Sequence, residues 1–277
     1  MEITDELRIK INIAVGKKYK HGFDFQWEKL RQGYSNDKWL LKLRDGTPLA
    51  IAKFYKNDLI LPSEFRFENE KKALELFQRR YAPELITSIE HKAIVYGYIP
   101  GIELSNSSIN SHYAQNILEI LNMITDEGKA TAKLEDVINF YDRLIKNYET
   151  LAKKGDEDIA KLKTATSEIT DLIEQNNSEL TYIHGDLVPA NIIAQGEVIY
   201  LIDWEYFRTE LPIFDKVYFN YYANKHNLSI RLDLNDVDKQ LYAAYENLVM
   251  MLDKLWWKYC QLPPPKDCGF SPRTRKR

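Results

Sequence analysis

The sequence predicts an α+β chain in two lobes, a small antiparallel-sheet lobe followed by a larger, mostly helical one. Strand-like segments and tight turns fill the first hundred residues and stop at Pro100-Gly101. Long helical patterns follow at once, over 111–125, 134–153 and 156–176. The charge balance turns at the same place. Residues 1–100 hold 18 basic and 14 acidic residues, residues 101–265 hold 15 and 26, and residues 266–277 hold five and one. The expected units are therefore 1–100, 101–262 and a flexible basic tail at 263–277.

Taken in order, residues 3–15 place Ile3, Leu7 and Ile11 at helical spacing. Trp27–Leu30 and Lys38–Leu43 read as strands on either side of the turn-like Gly33-Tyr34-Ser35-Asn36-Asp37. Asp45-Gly46 is a hairpin signal between Trp39–Leu43 and Leu49–Tyr55. Phe65–Arg80 reads as a helix with Ala73, Leu74 and Phe77 on one side, and Ala93–Ile99 as a strand. In the second lobe, Glu127-Gly128 and Lys154-Gly155 separate the long helices. Leu180–Ile183, Ile192–Ala194 and Val198–Ile202 are short apolar strands. Residues 214–225 and 236–260 are helical and aromatic-rich, and Pro263-Pro264-Pro265 opens the tail.

Composition excludes several classes. A chain of 277 residues that is 44% hydrophobic can bury a core and is not a disordered chain. No apolar run approaches the ~20 residues of a membrane helix. The stretch from Met1 to Lys18 carries Asp5 and Glu6 and does not read as a signal peptide. Cys260 and Cys268 form neither a zinc pattern nor a disulfide framework, so a cytoplasmic protein with free thiols is expected. The acidic second lobe argues against a nucleic-acid groove there. Oligomeric state is not legible.

The chemistry concentrates in Tyr182-Ile-His-Gly-Asp-Leu-Val-Pro-Ala-Asn191 and Val198-Ile-Tyr-Leu-Ile-Asp-Trp-Glu205. Asp186 and Asn191 fall on a loop, and Asp203 ends an apolar strand. A hairpin between them brings all three to one mouth. Hard oxygen ligands of this kind suit Mg²⁺ with nucleotide phosphates. Asp186 could then take the proton of a substrate hydroxyl while Asn191 and Asp203 hold the metal.

His184-Gly-Asp186, four residues, Asn191, then Ile202-Asp203-Trp204-Glu205 resembles the aminoglycoside phosphotransferase and choline/ethanolamine kinase superfamily. The resemblance spans roughly residues 25–260. It implies a protein-kinase-like fold, ATP or GTP with Mg²⁺, and a small-molecule acceptor. It also implies that His184 is structural and that Asp215 supports the catalytic loop. Lys53, in Leu49-Ala-Ile-Ala-Lys53, matches the family's strand lysine for the α- and β-phosphates. Glu70 matches the helix carboxylate that fixes that lysine, with Glu68 as a rival. Gly33, Ser35 and Asn36 resemble the nucleotide loop, although read alone the segment is a hairpin turn. Tyr96 and Tyr98 lie where the family's backbone meets adenine. Val188 and Ala190 depart from the His and Gly often found there, without removing the base or a metal ligand.

For the acceptor, Glu205 and Tyr206 follow Asp203 as in the choline/ethanolamine kinase pattern. Glu205 could hold a second Mg²⁺ or face a cationic substrate. Tyr218, Phe219, Tyr221 and Tyr222, then Trp256, Trp257 and Tyr259, could supply aromatic faces for a quaternary amine, or simply core. Asp233, Asp236 and Asp238 could form the acidic rim an aminoglycoside needs, with helix capping by Asp236 as the plainer reading. A sugar kinase of a surface-polysaccharide pathway and a non-catalytic nucleotide-binding scaffold stay open. A peptide kinase is opposed by the eleven residues between Asp203 and Asp215, too few for an activation segment.

Overall fold

The computed structural model describes residues 3–30, 36–56, 60–106, 112–129, 131–153, 155–175, 179–234 and 238–259. Gly33, Ser35, Asp236, both cysteines and the basic tail lie outside the described residues.

Helix α1 (Asp5–Tyr19) starts where the Thr4 hydroxyl accepts from the Leu7 amide at 3.3 Å. Asp5 and Glu6 sit in its first turn and Lys17 and Lys18 in its last, the arrangement the helix dipole favours. A five-stranded antiparallel sheet follows, in the order β1 (Gln26–Lys29), β2 (Asn36–Lys42), β3 (Pro48–Tyr55), β5 (Ala93–Gly97), β4 (Leu85–Ile89). The β2–β3 turn is Asp45-Gly46, as expected. Gly46 adopts φ +89°, and the Thr47 amide donates to the Asp45 carboxylate at 2.9 Å.

Strand parity positions the site. Successive residues of β3 point to opposite faces. Ala50, Ala52 and Phe54 pack with Leu7, Ile11 and Val15 of α1. Ile51, Lys53 and Tyr55 face the other way. There helix α2 (Ser63–Phe77) brings Phe67, Leu74 and Phe77 against Ile51 and Tyr55. Both faces of β3 are covered, so Lys53 is 0% exposed and must find its charge partners inside. Register sets Lys38 of β2 directly opposite Lys53.

The second part holds α3 (His112–Gly128), α4 (Leu134–Leu151), α5 (Glu157–Gln175), α6 (Ile213–Lys225) and α7 (Lys239–Tyr259). Val137, Tyr141, Leu144, Leu162, Ile169, Phe214, Tyr245 and Leu248 fill the core between these helices. Strands β8 (Ile192–Gln195) and β9 (Val198–Leu201) form a hairpin, and β6 (Ile102–Glu103) adds to β8. Strand β7 (Thr181–Ile183) pairs with β10 (Arg208–Glu210). Asp238 caps α7, accepting from Gln240 and Leu241 amides at 2.9 Å, so the cap falls two residues beyond the expected Asp236. Among the described residues no helix is long and apolar enough to cross a membrane.

The sheet side and the hairpin side share one core. Phe77 packs on Trp204 and Phe207 at ring-centroid distances of 5.3 and 5.7 Å, and the Leu201 amide donates to the Tyr81 carbonyl at 2.7 Å. Helix α2 is thereby fixed against the turn that follows β9.

Candidate active site

The segment after β7 turns at Gly185, crosses a short helical turn at Pro189–Asn191, and enters β8. A hydrogen bond from the Ile202 amide to the Asn191 carbonyl, 2.9 Å, closes the hairpin. Asp186, Asn191 and Asp203 therefore meet at one mouth, as the spacing requires.

His184 supports this loop from behind. Its Nδ1 lies 3.3 Å from the Asp186 amide, which donates to it, so Nε2 carries the proton and donates to the Ile202 carbonyl at 3.0 Å. Burial pushes the imidazole down to about 4, so it stays neutral. Asp215 accepts from the amides of His184 (2.7 Å) and Gly185 (2.9 Å), and burial pushes its carboxyl up to about 6. Gly185 is required here. Its φ is +81°, and a Cβ would stand 2.1 Å from the Tyr206 carbonyl oxygen.

The Asp186 carboxylate accepts from Asn191 Nδ2 at 2.9 Å and from the Tyr218 hydroxyl at 3.1 Å. Burial, then the charges of Asp203 and Glu205, push it up to about 8, with those two hydrogen bonds acting in the opposite direction. Asp203 is the contrast. Burial opposes its ionisation too, but Lys38 and Lys53 outweigh burial and hold it far below the usual carboxylate range. Lys38 Nζ donates to Asp203 at 2.7 Å, and Lys53 donates to both Asp203 and Glu70.

Glu70, not Glu68, is the partner of Lys53. Helix phase turns Glu70 inward, where Tyr55 also donates to it, and leaves Glu68 exposed with the imidazole of His91 at 3.7 Å. Glu205 does not face an acceptor. It is 5% exposed and accepts from Arg66 Nη1 at 2.8 Å and Asn36 Nδ2 at 2.7 Å, with Lys53 at 3.6 Å. Asn36 thus faces Arg66 and Glu205 through its side chain. The Tyr98 amide is taken by the Leu49 carbonyl at 2.9 Å, so at that position only the carbonyl oxygen is left to meet a base edge. Tyr96 is buried in β5, and Lys38 and Lys53 lie close enough to act on its hydroxyl.

The three carboxylates Glu70, Asp203 and Glu205 each place an oxygen within 4.8 Å of the others. Asn191 commits its Nδ2 to Asp186, so its amide oxygen is the atom it has to offer a metal. This all-oxygen set fits a small hard divalent cation.

On the far side of Asp186 runs an aromatic row. Tyr218 and Tyr222 have ring centroids 4.9 Å apart. The hydroxyls of Tyr221 and Tyr222 donate to Asp253 at 2.9 Å, and Trp257 Nε1 donates to it at 3.0 Å. Trp256 stands edge-on to Trp257 at 4.9 Å and packs on the helical core, as does Tyr206. The sequence reading missed Lys38, Arg66, Asp253 and Lys225. Register opposite Lys53 could have found Lys38, and the i, i+4 spacing to Trp257 could have found Asp253.

A family model, the phosphotransferase enzyme family, matches residues 26–248. A curated relative, a LicA homolog of Mycoplasma capricolum, is 24% identical over 184 residues, covering 65% of this chain and 69% of the relative. Among solved structures, the choline kinase LicA of Streptococcus pneumoniae aligns with a TM-score of 0.62 at 22% identity, covering 91% of each chain. An ethanolamine kinase of Plasmodium vivax aligns with a TM-score of 0.60 at 18% identity, covering 84% of this chain and 75% of that one. The two-lobed kinase-like fold expected from the sequence is the fold these structures share.

Proposed function

Because the chain belongs to the phosphotransferase enzyme family and takes an alcohol hydroxyl as acceptor, we propose that it is a kinase of amino alcohols of the choline and ethanolamine class, with ATP or GTP as donor and Mg²⁺. The observation that carries the acceptor class is the aromatic row. It runs from Tyr218, bonded to Asp186, through Tyr222 to the Asp253 carboxylate and Trp257. A hydroxyl at Asp186 and a cationic group among Tyr221, Tyr222, Trp257 and Asp253 match the two ends of an amino alcohol.

Lys53, held by Glu70, presents a point charge to the nucleotide phosphates. Asn191 and Asp203 would hold the metal, which would supply charge neutralisation for the phosphoryl group being transferred. Asp186 takes the proton of the acceptor hydroxyl as its oxygen bonds to the γ-phosphorus and the bond to the β-phosphate oxygen breaks. Tyr218 and Asn191 orient that carboxylate. A screen of choline, ethanolamine, aminoglycosides and sugars with ATP and GTP tests the reading, together with Asp186→Asn. The variant should lose on the order of 10³-fold in transfer rate while nucleotide binding persists. Transfer to sugars alone, or undiminished turnover by the variant, would defeat it.

A further inference from the structure

Lys225, the last residue of α6, already sits in the cation end of this row. Its ammonium donates to both Asp253 oxygens at 2.7 and 2.6 Å. It lies 5.4 Å from the Tyr222 ring centroid and 5.8 Å from those of Tyr221 and Trp257. The same groups that suit an external ammonium are thus engaged by one the chain carries itself. Asp253 receives hydrogen bonds from Tyr221, Tyr222, Trp257 and Lys225, and is 8% exposed. A second cation could approach it only as Lys225 leaves.

Leaving is feasible. The Lys225 side chain is 36% exposed against 10% for Asp253, so the lysine reaches water without opening the core. Lys225 is the last residue of α6 and reaches across to Asp253 of α7 from that helix end. Outside, its charge is solvated, and near a helix C-terminus it remains favourably placed.

We propose that Lys225 is a tethered competitor for the cation subsite, an affinity-setting residue that a cationic acceptor displaces from Asp253. The exchange is cation for cation, so the carboxylate never stands unpaired in the aromatic surround. By mass action, the apparent Kd for every cationic ligand is the intrinsic Kd divided by the fraction of molecules in which Lys225 has swung out. The inference rests on the acceptor reading above only for the identity of the natural ligand, since the cage and its occupant are described without it.

Tetramethylammonium is the probe, because it carries the charge and no reactive hydroxyl. Binding is measured on the full chain by calorimetry and by tryptophan fluorescence, for the unmodified protein and for Lys225→Met, Lys225→Gln and Lys225→Arg. With Lys225 outside in about a tenth of molecules, Lys225→Met and Lys225→Gln should bind roughly tenfold more tightly. Lys225→Arg, which keeps the competing charge, should bind like the unmodified protein. Equal or weaker binding by both neutral variants overturns the proposal, as does an absence of binding in all four. Two neutral replacements separate a failed competitor from a single misfolded variant. Tighter binding without phosphorylation of any amino alcohol would sink the acceptor reading and leave this one standing.

Discussion

Replacing Arg66 with methionine tests how the sheet side is bound to the site. The guanidinium is fully buried and donates to Asn36 (2.9 Å), Glu205 (2.8 Å), the Leu61 carbonyl (3.3 Å) and the Lys56 carbonyl. Methionine retains an apolar stem but, among the described residues, leaves the Glu205 side chain with the Asn36 amide at 2.7 Å and Lys53 at 3.6 Å. Breaking a buried ion pair by removing one partner costs about 3–5 kcal/mol. At about 2 °C per kcal/mol for a chain of this size, the midpoint should fall by roughly 6–10 °C. Much of that loss is the stranded charge. Adding Glu205→Gln should therefore recover part of it, with a coupling energy on the order of 1.5–3 kcal/mol. Urea titrations of the four proteins, followed by tryptophan fluorescence, measure the cycle. Additive effects would refute the reasoning. So would weaker tetramethylammonium binding by Glu205→Gln, since it would put Glu205 back on the acceptor side.

Two further outcomes are expected. Lys38→Met removes one of the two ammonium groups on Asp203, so Mn²⁺, as a spectroscopic substitute, should bind the nucleotide-free protein about tenfold more tightly by electron paramagnetic titration; unchanged affinity would mean Lys38 does not compete with metal. Asp215 is held at about 6 by burial, against about 3.9 in an unfolded chain. A raised folded value means the native state keeps its proton longer, so this group's contribution to stability is fully present below about pH 4 and lost as pH rises through 6. Relative to the non-titrating Asp215→Asn, the unmodified protein should therefore lose on the order of 3 kcal/mol between pH 4 and pH 7 in urea titrations. A constant difference across that range would count against a raised Asp215.

What was legible followed local rules. The family resemblance singled out Lys53, turn residues marked the Asp45-Gly46 hairpin, and the spacing of Asp186, Asn191 and Asp203 marked the mouth. Strands β4 and β10 escaped because they do not look like strands. Leu-Ile-Thr-Ser-Ile in β4 is half-buried throughout, and β10 buries Arg208 and Glu210. Beside local bonds to the Leu211 amide and the Tyr206 carbonyl, those charges have distant partners: Tyr141 and Tyr245 donate to Glu210, and the rings of Phe140 and Phe214 lie 4.3 and 4.4 Å from the Arg208 guanidinium carbon. The engagement of Glu205 with Arg66 escaped for the same reason. Its neighbour in sequence, Asp203, faces the mouth, but its partner Arg66 is 139 residues away and no local pattern links them.

The division of labour between the two aspartates also depends on what lies across the sequence. Asp186 and Asp203 are both half-buried, both at the mouth of the same hairpin, and both begin from the same intrinsic acidity. Asp203 lies where β2 and β3 place two opposed lysines, a pairing that like-charge repulsion forbids unless an anion lies between them. Asp203 is that anion, and its ionised form is fixed. Arg66 and Lys53 serve Glu205 and Glu70 in the same way, so three carboxylates meet three cations. Asp186 receives only neutral partners among the described residues, Tyr218 and Asn191, and faces the negative charges of Asp203 and Glu205. One carboxylate is thus fixed in its charged form, while the other exchanges its proton near neutral pH and can take one up once ionised. Because the lysines that fix Asp203 come from the sheet side, the two aspartates acquire their separate characters only when the sheet packs against the hairpin.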